Sequence, residues 1–291
     1  MKRKSHFVFV LMLAASVAFC WHPLVATLRL ALENDAYTHI LLIVPLSAAI
    51  IYFDRKAFRS TPEPGATAGL PLLAAALLFA VLARWGMSSV PADLRLSLSM
   101  IALVVWWIAS VQMCFGPPAV RSFLFPLCFL FWIVPLPPMA LDRVVGFLQN
   151  QSAFAARALF WMARVPVTQD GLVLSIPGLD VEVAPECSSI RSSLFLIVTT
   201  MVLAHLFLRS RWRKIVLVAL SIPLSVAKNG LRIFVIAELG TRVDPSYLNG
   251  NLHHHGGIVF FAVSVVAVVG LLWALMRSEA SKYTDQVLAP H

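Results

Sequence analysis

Charge is what this sequence has least of. Only 13% of its 291 residues are charged, against roughly 25% in an ordinary soluble domain. Acids are the scarcest, with 14 Asp and Glu beside 23 Lys and Arg. A disordered chain is excluded, because such chains combine low hydrophobicity with high charge, and here 59% of residues are hydrophobic. A soluble enzyme is disfavoured too, since so few charges cannot cover a surface of this size. Cysteine is also sparse. Cys20, Cys114 and Cys128 lie in apolar runs, where a thiol acts as a small hydrophobe. None of the four cysteines belongs to a C-x-x-C pair, so neither a metal site nor a redox couple is suggested. No A-x-A site follows the first apolar run, and Phe19 before Cys20 suits a lipoprotein cleavage site poorly. Lys2, Arg3, Lys4 and the run behind them are therefore read as an uncleaved first span. There is no internal repeat and no low-complexity tract.

What is present is a bilayer-crossing pattern. Mean hydropathy is +0.83. The net charge of +9 would suit a nucleic-acid binder. In a membrane protein, however, Lys and Arg gather in cytoplasmic loops, so the expected partner is the lipid bilayer and not nucleic acid. A crossing needs about 20 mostly apolar residues. Eight stretches qualify, at 7–27, 37–53, 66–85, 96–115, 122–139, 188–208, 215–239 and 257–276. With the N-terminus inside, 13 of the 23 cations fall in short cytoplasmic segments, including Arg209, Arg211, Arg213 and Lys214. Both termini are then cytoplasmic. The fold class expected is an all-α polytopic membrane protein of about eight transmembrane helices.

The long outer stretch 140–187 has its own structure. Arg143, Asn150, Arg157 and Arg164 recur every seven residues, with Leu141, Val145, Leu148, Ala155, Leu159 and Met162 on the other side. That is an amphipathic helix, either lying in the outer interface or packed on the bundle. After Pro166, Gly171–Gly178 followed by Leu179–Val183 reads as a short β-hairpin with a Pro-Gly turn. It leads to Cys187.

Three polar features need a reason. Cys187 stands where the hairpin meets span six, and Arg191 follows one turn later. A helix N-terminus and a nearby cation both favour a thiolate; a plain capping residue is the simpler reading. Lys228 and Arg232 lie one turn apart within span seven, beside Asn229. Ionisable groups inside a span are costly and usually face a polar cavity or partner; snorkelling to the interface is the simpler reading. His253, His254 and His255 precede span eight. Adjacent side chains on a helix diverge by about 100°, so one histidine acting as acid or base is more economical than a metal site. No metal and no cofactor is indicated. All three features lie at outer span ends, and together they suit acyl transfer: a thiolate attacks, a cation holds the oxyanion, an imidazole moves protons.

At these residues the chain resembles the exosortase/archaeosortase family. The matching pieces are Val181-Glu-Val-Ala-Pro-Glu-Cys187-Ser-Ser-Ile-Arg191, Asn229-Gly-Leu-Arg232-Ile, and His253-x-x-x-Gly257-x-x-x-Phe261. Ser189 departs from the glycine usual there. The resemblance implies a cysteine transpeptidase or protease with Cys187 as nucleophile, Arg232 as catalytic arginine and His253 as histidine; His254 and His255 are the alternates if the loop shifts. It implies partners too: membrane-anchored protein substrates with a C-terminal sorting signal, made of a Pro-Glu-Pro-like motif, a transmembrane helix and a basic tail. Arg191, Lys228 and Asn229 are the expected substrate-binding residues, the two cations neutralising the motif's glutamate. The enzyme would sit in a bacterial inner (plasma) membrane with its site on the periplasmic face. The whole of 1–291 is expected to be one transmembrane domain, with catalytic elements within 138–261 and no second soluble domain after them. Two other classes remain open: a small transporter or channel with Lys228, Arg232 and Glu238 lining a path, and an envelope-assembly scaffold. The sequence does not specify the oligomeric state.

Overall fold

Prolines mark the breaks in several helices of this chain, although Pro45, Pro71 and Pro223 lie inside helices. In the computed structural model, which describes residues 2–54, 66–85, 91–183, 190–244, 246 and 257–288, α1 (Lys2–Phe19) and α2 (Trp21–Glu33) meet at a 72° bend. The expected span 7–27 is therefore not one straight helix. Pro23 has no N–H to give to the carbonyl of Phe19. Arg84 supplies a donor instead, its Nη2 reaching Phe19 O at 3.3 Å with the guanidinium over the Phe19 ring.

α3 (Ile40–Phe53), α4 (Ala66–Trp85) and α5 (Ala92–Ser122) follow. α5 kinks at Gly116, whose φ of +80° is costly for any residue with a Cβ. Pro117 and Pro118 come next, so the expected span 96–115 ends where the kink lies. The expected span 122–139 is likewise bent. It is broken into α6 (Leu124–Phe129), a 3-10 turn (Leu130–Ile133) and the start of α7 (Pro138–Met162), with a bend of 97°. Pro135, Pro137 and Pro138 cause the break, since a residue before proline is driven out of helical backbone. Side chains catch the carbonyls released there. Ser97 Oγ donates to Pro135 O and Tyr37 Oη to Leu136 O, both at 2.7 Å.

Among the described residues six helical segments are long and apolar enough to cross a membrane, and the two bent pairs raise this to as many as eight. The all-α polytopic class holds. The chain divides into two compact units, Met1–Leu141 and Asp142–His291.

The first unit centres on α4 against α5. The two helices come close at Gly69, where a Cβ would lie 2.2 Å from Met113 Cγ and 3.2 Å from Met113 N. The second unit contains α7, three strands, α8 (Ile190–Phe207), α9 (Arg211–Arg242) and α10 (Gly257–Leu288). β1 (Thr168–Asp170), β2 (Val173–Ile176) and β3 (Leu179–Glu182) form an antiparallel meander. The expected hairpin is β2–β3, with Ile176 paired to Leu179 across Pro177-Gly178. Gly178 takes the positive φ, +84°, that such a turn needs. β1 was not expected; it extends the hairpin by one strand after Pro166. Leu174, Ile176 and Val183 pack with Ala153, Ala156 and Phe160 of α7 and with Ile233 and Ala237 of α9, forming one core. At the α8–α9 turn, Glu279 accepts from the N–H groups of Arg209 and Ser210 and pairs with Arg213 at 3.3 Å.

Candidate active site

α7 differs from its expected faces. Arg143, Asn150, Arg157 and Arg164 are exposed, as their spacing predicts. The buried side is Leu148, Gln149, Ser152, Ala153, Ala156 and Phe160. Of the expected apolar side only Leu148 is buried, and Met162 is exposed. The opposite side presents Phe147, Phe154 and Trp161, again seven apart and exposed. The helix therefore turns Gln149, Ser152, Ala153 and Ala156, with Leu148 and Phe160, toward its neighbours, and its outer face mixes Phe147, Phe154 and Trp161 with Arg143, Asn150 and Arg157.

α8 begins at Ile190, three residues after Cys187. Arg191 in its first turn is exposed. The next two residues face α9. Ser225 Oγ donates to Ser193 Oγ at 2.5 Å, and Lys228 Nζ donates to Ser192 Oγ. Lys228 is only 6% exposed, so it points between helices and does not snorkel. Ser221, Ser225, Lys228 and Arg232 follow one another at helical spacing along one side of α9. Arg232 is half-buried, one turn beyond Lys228.

The neighbouring face of α9 meets α7. Asn229, almost wholly buried, donates from Nδ2 to Ser152 Oγ at 2.9 Å. At Gly230 the two backbones nearly touch: a Cβ would lie 2.6 Å from Ala155 Cβ and 2.9 Å from the Ala156 nitrogen. Only glycine fits such an approach. On the strand side, Gln149 Nε2 donates to the carbonyl of Val183 at 2.9 Å.

The structure thus brings the Lys228 turn of α9 against the first turn of α8, and Asn229-Gly230 against α7. Cys187, His253, His254 and His255 lie outside the described residues. Beyond α9, Asp244 Oδ1 accepts from the Ser246 N–H at 2.7 Å, which holds that carboxyl below its usual range. The sequence reading did not single out Gln149, Ser152, Ser192, Ser193 or Ser225. The spacing of Ser221, Ser225 and Lys228 was one available signal, because polar groups repeating every three or four residues in a span mark a face that meets other helices.

The exosortase family model, described as a transmembrane exosortase, matches residues 29–270. The chain belongs to this family. It is therefore an integral membrane protein with a transpeptidase-type role on protein substrates. No curated protein and no solved structure matches it. The exosortase match covers most of both compact units and all three sequence pieces around Cys187, Arg232 and His253.

Proposed function

We propose that this exosortase is a cysteine transpeptidase that cuts a C-terminal sorting signal through a thioester on Cys187. One observation carries the reading. The first turn of α8, which follows Cys187 by three residues, is bonded to α9 through Lys228, one turn before Arg232. Two polar features far apart in sequence are thus joined to the same pair of helices.

The chemistry follows from the residue types. The Cys187 thiolate adds to the carbonyl carbon of the scissile peptide. The Arg232 guanidinium binds the oxyanion that forms. His253, or His254 or His255 in a shifted register, gives a proton to the departing amine. The thioester left on sulfur is then resolved by an acceptor amine or by water, which restores the thiol. Arg191 and Lys228 meet the glutamate of a Pro-Glu-Pro-like motif, and Asn229 seats this turn of α9. The substrate's own transmembrane helix and basic tail set the depth of the motif. The two compact units act as one domain, since the family match extends through both. The site faces the periplasm of a bacterial inner membrane and both termini face the cytoplasm, as the 13 loop cations favour.

A transport path is less well supported. Glu238 lies six residues from Arg232, so the two side chains diverge by about 120° on an α-helix. Glu238 pairs with Arg242 at 2.7 Å. The three charges do not line one face.

The test is expression with a tagged substrate that bears the signal. Cys187→Ala should accumulate in the membrane and leave the substrate uncut, while the parent enzyme yields a Cys-linked intermediate. Normal cleavage by Cys187→Ala would sink the nucleophile assignment.

A further inference from the structure

Gln149 and Ser152 lie one turn apart on the buried face of α7, 7% and 1% exposed. A buried amide is unfavourable unless hydrogen-bonded, and an aliphatic residue at 149 would complete an apolar face. The polar residue therefore needs a reason. Gln149 Nε2 donates to Val183 O at 2.9 Å, and the Val183 N–H donates to Leu172 O at 2.9 Å. The Val183 side chain is fully buried. The backbone is thus held from both sides four residues before Cys187. One turn along α7, Ser152 holds Asn229, three residues before Arg232. Beside it the Gly230 backbone rests on Ala155 and Ala156. One rigid helix therefore holds the chain leading to Cys187 and the turn leading to Arg232.

We propose that α7 sets the separation between the cysteine segment and the arginine turn, and that Gln149 is a positioning residue for the acyl-transfer step. This rests on the reading of Cys187 and Arg232 as a catalytic pair. The Gln149 side chain acts through the Val183 carbonyl and touches no reacting atom. Asn229-Gly230 gains a purpose in the same terms: the amide and the missing Cβ dock α9 on the same helix.

The test uses the full chain in membranes with a tagged signal-bearing substrate, over a range of substrate concentration. Gln149→Leu keeps much of the volume and removes the donor. Gln149→Glu keeps the shape; its neutral carboxyl can donate to the Val183 carbonyl, and its carboxylate cannot. Gln149→Leu should accumulate and lose about tenfold in kcat, because a buried carbonyl is left unpaired, with KM within about twofold. Gln149→Glu should show a similar loss at alkaline pH. Relative to the parent enzyme at the same pH, it should recover as the carboxyl protonates on acidification. Parent-like kcat in both variants, or an equal loss with no recovery of the Glu variant, overturns the proposal. Should Gln149→Leu fail to accumulate, the pH response of Gln149→Glu decides alone. Cys187→Ala separates the two readings. If it is inactive while both Gln149 variants match the parent, only the positioning role falls; processing that survives Cys187→Ala removes both.

Discussion

The two units use buried polar groups differently. In Met1–Leu141 several mend broken backbone, while Trp107 also donates to Ser16 Oγ of α1 at 2.9 Å. Ser97 and Tyr37 each give a proton to a carbonyl beside a proline break, as the exposed Arg84 does at another, and Ser47 donates to Pro126 O at 3.2 Å. In Asp142–His291 side chains bond to side chains on other helices: Ser225 to Ser193, Lys228 to Ser192, Asn229 to Ser152. A bond to a carbonyl satisfies one backbone group and tolerates small shifts. A bond between two side chains fixes the register of two helices, because both rotamers must agree. The first pattern holds a fold together; the second holds residues at set positions, which a reaction requires.

That contrast can be broken or sharpened by substitution. Arg232→Lys should lower processing roughly a hundredfold with normal accumulation, since an ammonium lacks the planar fork of donors suited to an oxyanion. Near-normal turnover of the tagged substrate would show that α9 does not carry the oxyanion contact. Lys228→Glu should impair the native signal about tenfold more than a signal whose motif glutamate is glutamine, because like charges repel in a desolvated site. Equal losses on the two signals, measured side by side, would remove Lys228 from substrate recognition. Gly230→Val should push α7 and α9 apart, at a cost of about 1–3 kcal/mol for overpacking. Processing should fall further than accumulation does; a parallel decline would make this contact merely structural. The smallest effect is expected in the first unit. Ser97→Ala should lose about 1 kcal/mol with the hydrogen bond to Pro135, seen as a lower thermal midpoint in detergent, and leave the processing rate unchanged. A processing defect there would erase the contrast between the units.

Much of the fold was legible locally. The apolar runs predicted the helices 66–85, 190–207 and 211–242 closely, and the Pro177-Gly178 turn placed β2 and β3. Two expected spans prove to be bent, a feature hydropathy cannot show because it averages over a window and ignores backbone donors. Pro23 and the Pro135–Pro138 stretch are apolar by composition, yet they end helices. The apolar face of α7 was misassigned for a related reason. In a bilayer the large apolar side chains can face lipid, so Phe147, Phe154 and Trp161 turn outward while Ala153, Ala156, Ser152 and Gln149 turn to protein.

By itself, then, the sequence determined what each stretch could be: which runs cross a membrane, which side their flanking cations favour, and which residue types could carry acyl transfer. These are properties of single residues and of spacings within one helix. Only the tertiary structure decided the partners. Gln149 meets Val183, Ser192 meets Lys228 and Ser152 meets Asn229 across 34, 36 and 77 residues of chain. No local period encodes such pairs, because each depends on how two distant elements pack, and at Ser152 and Asn229 on Gly230, which lets α7 and α9 come close.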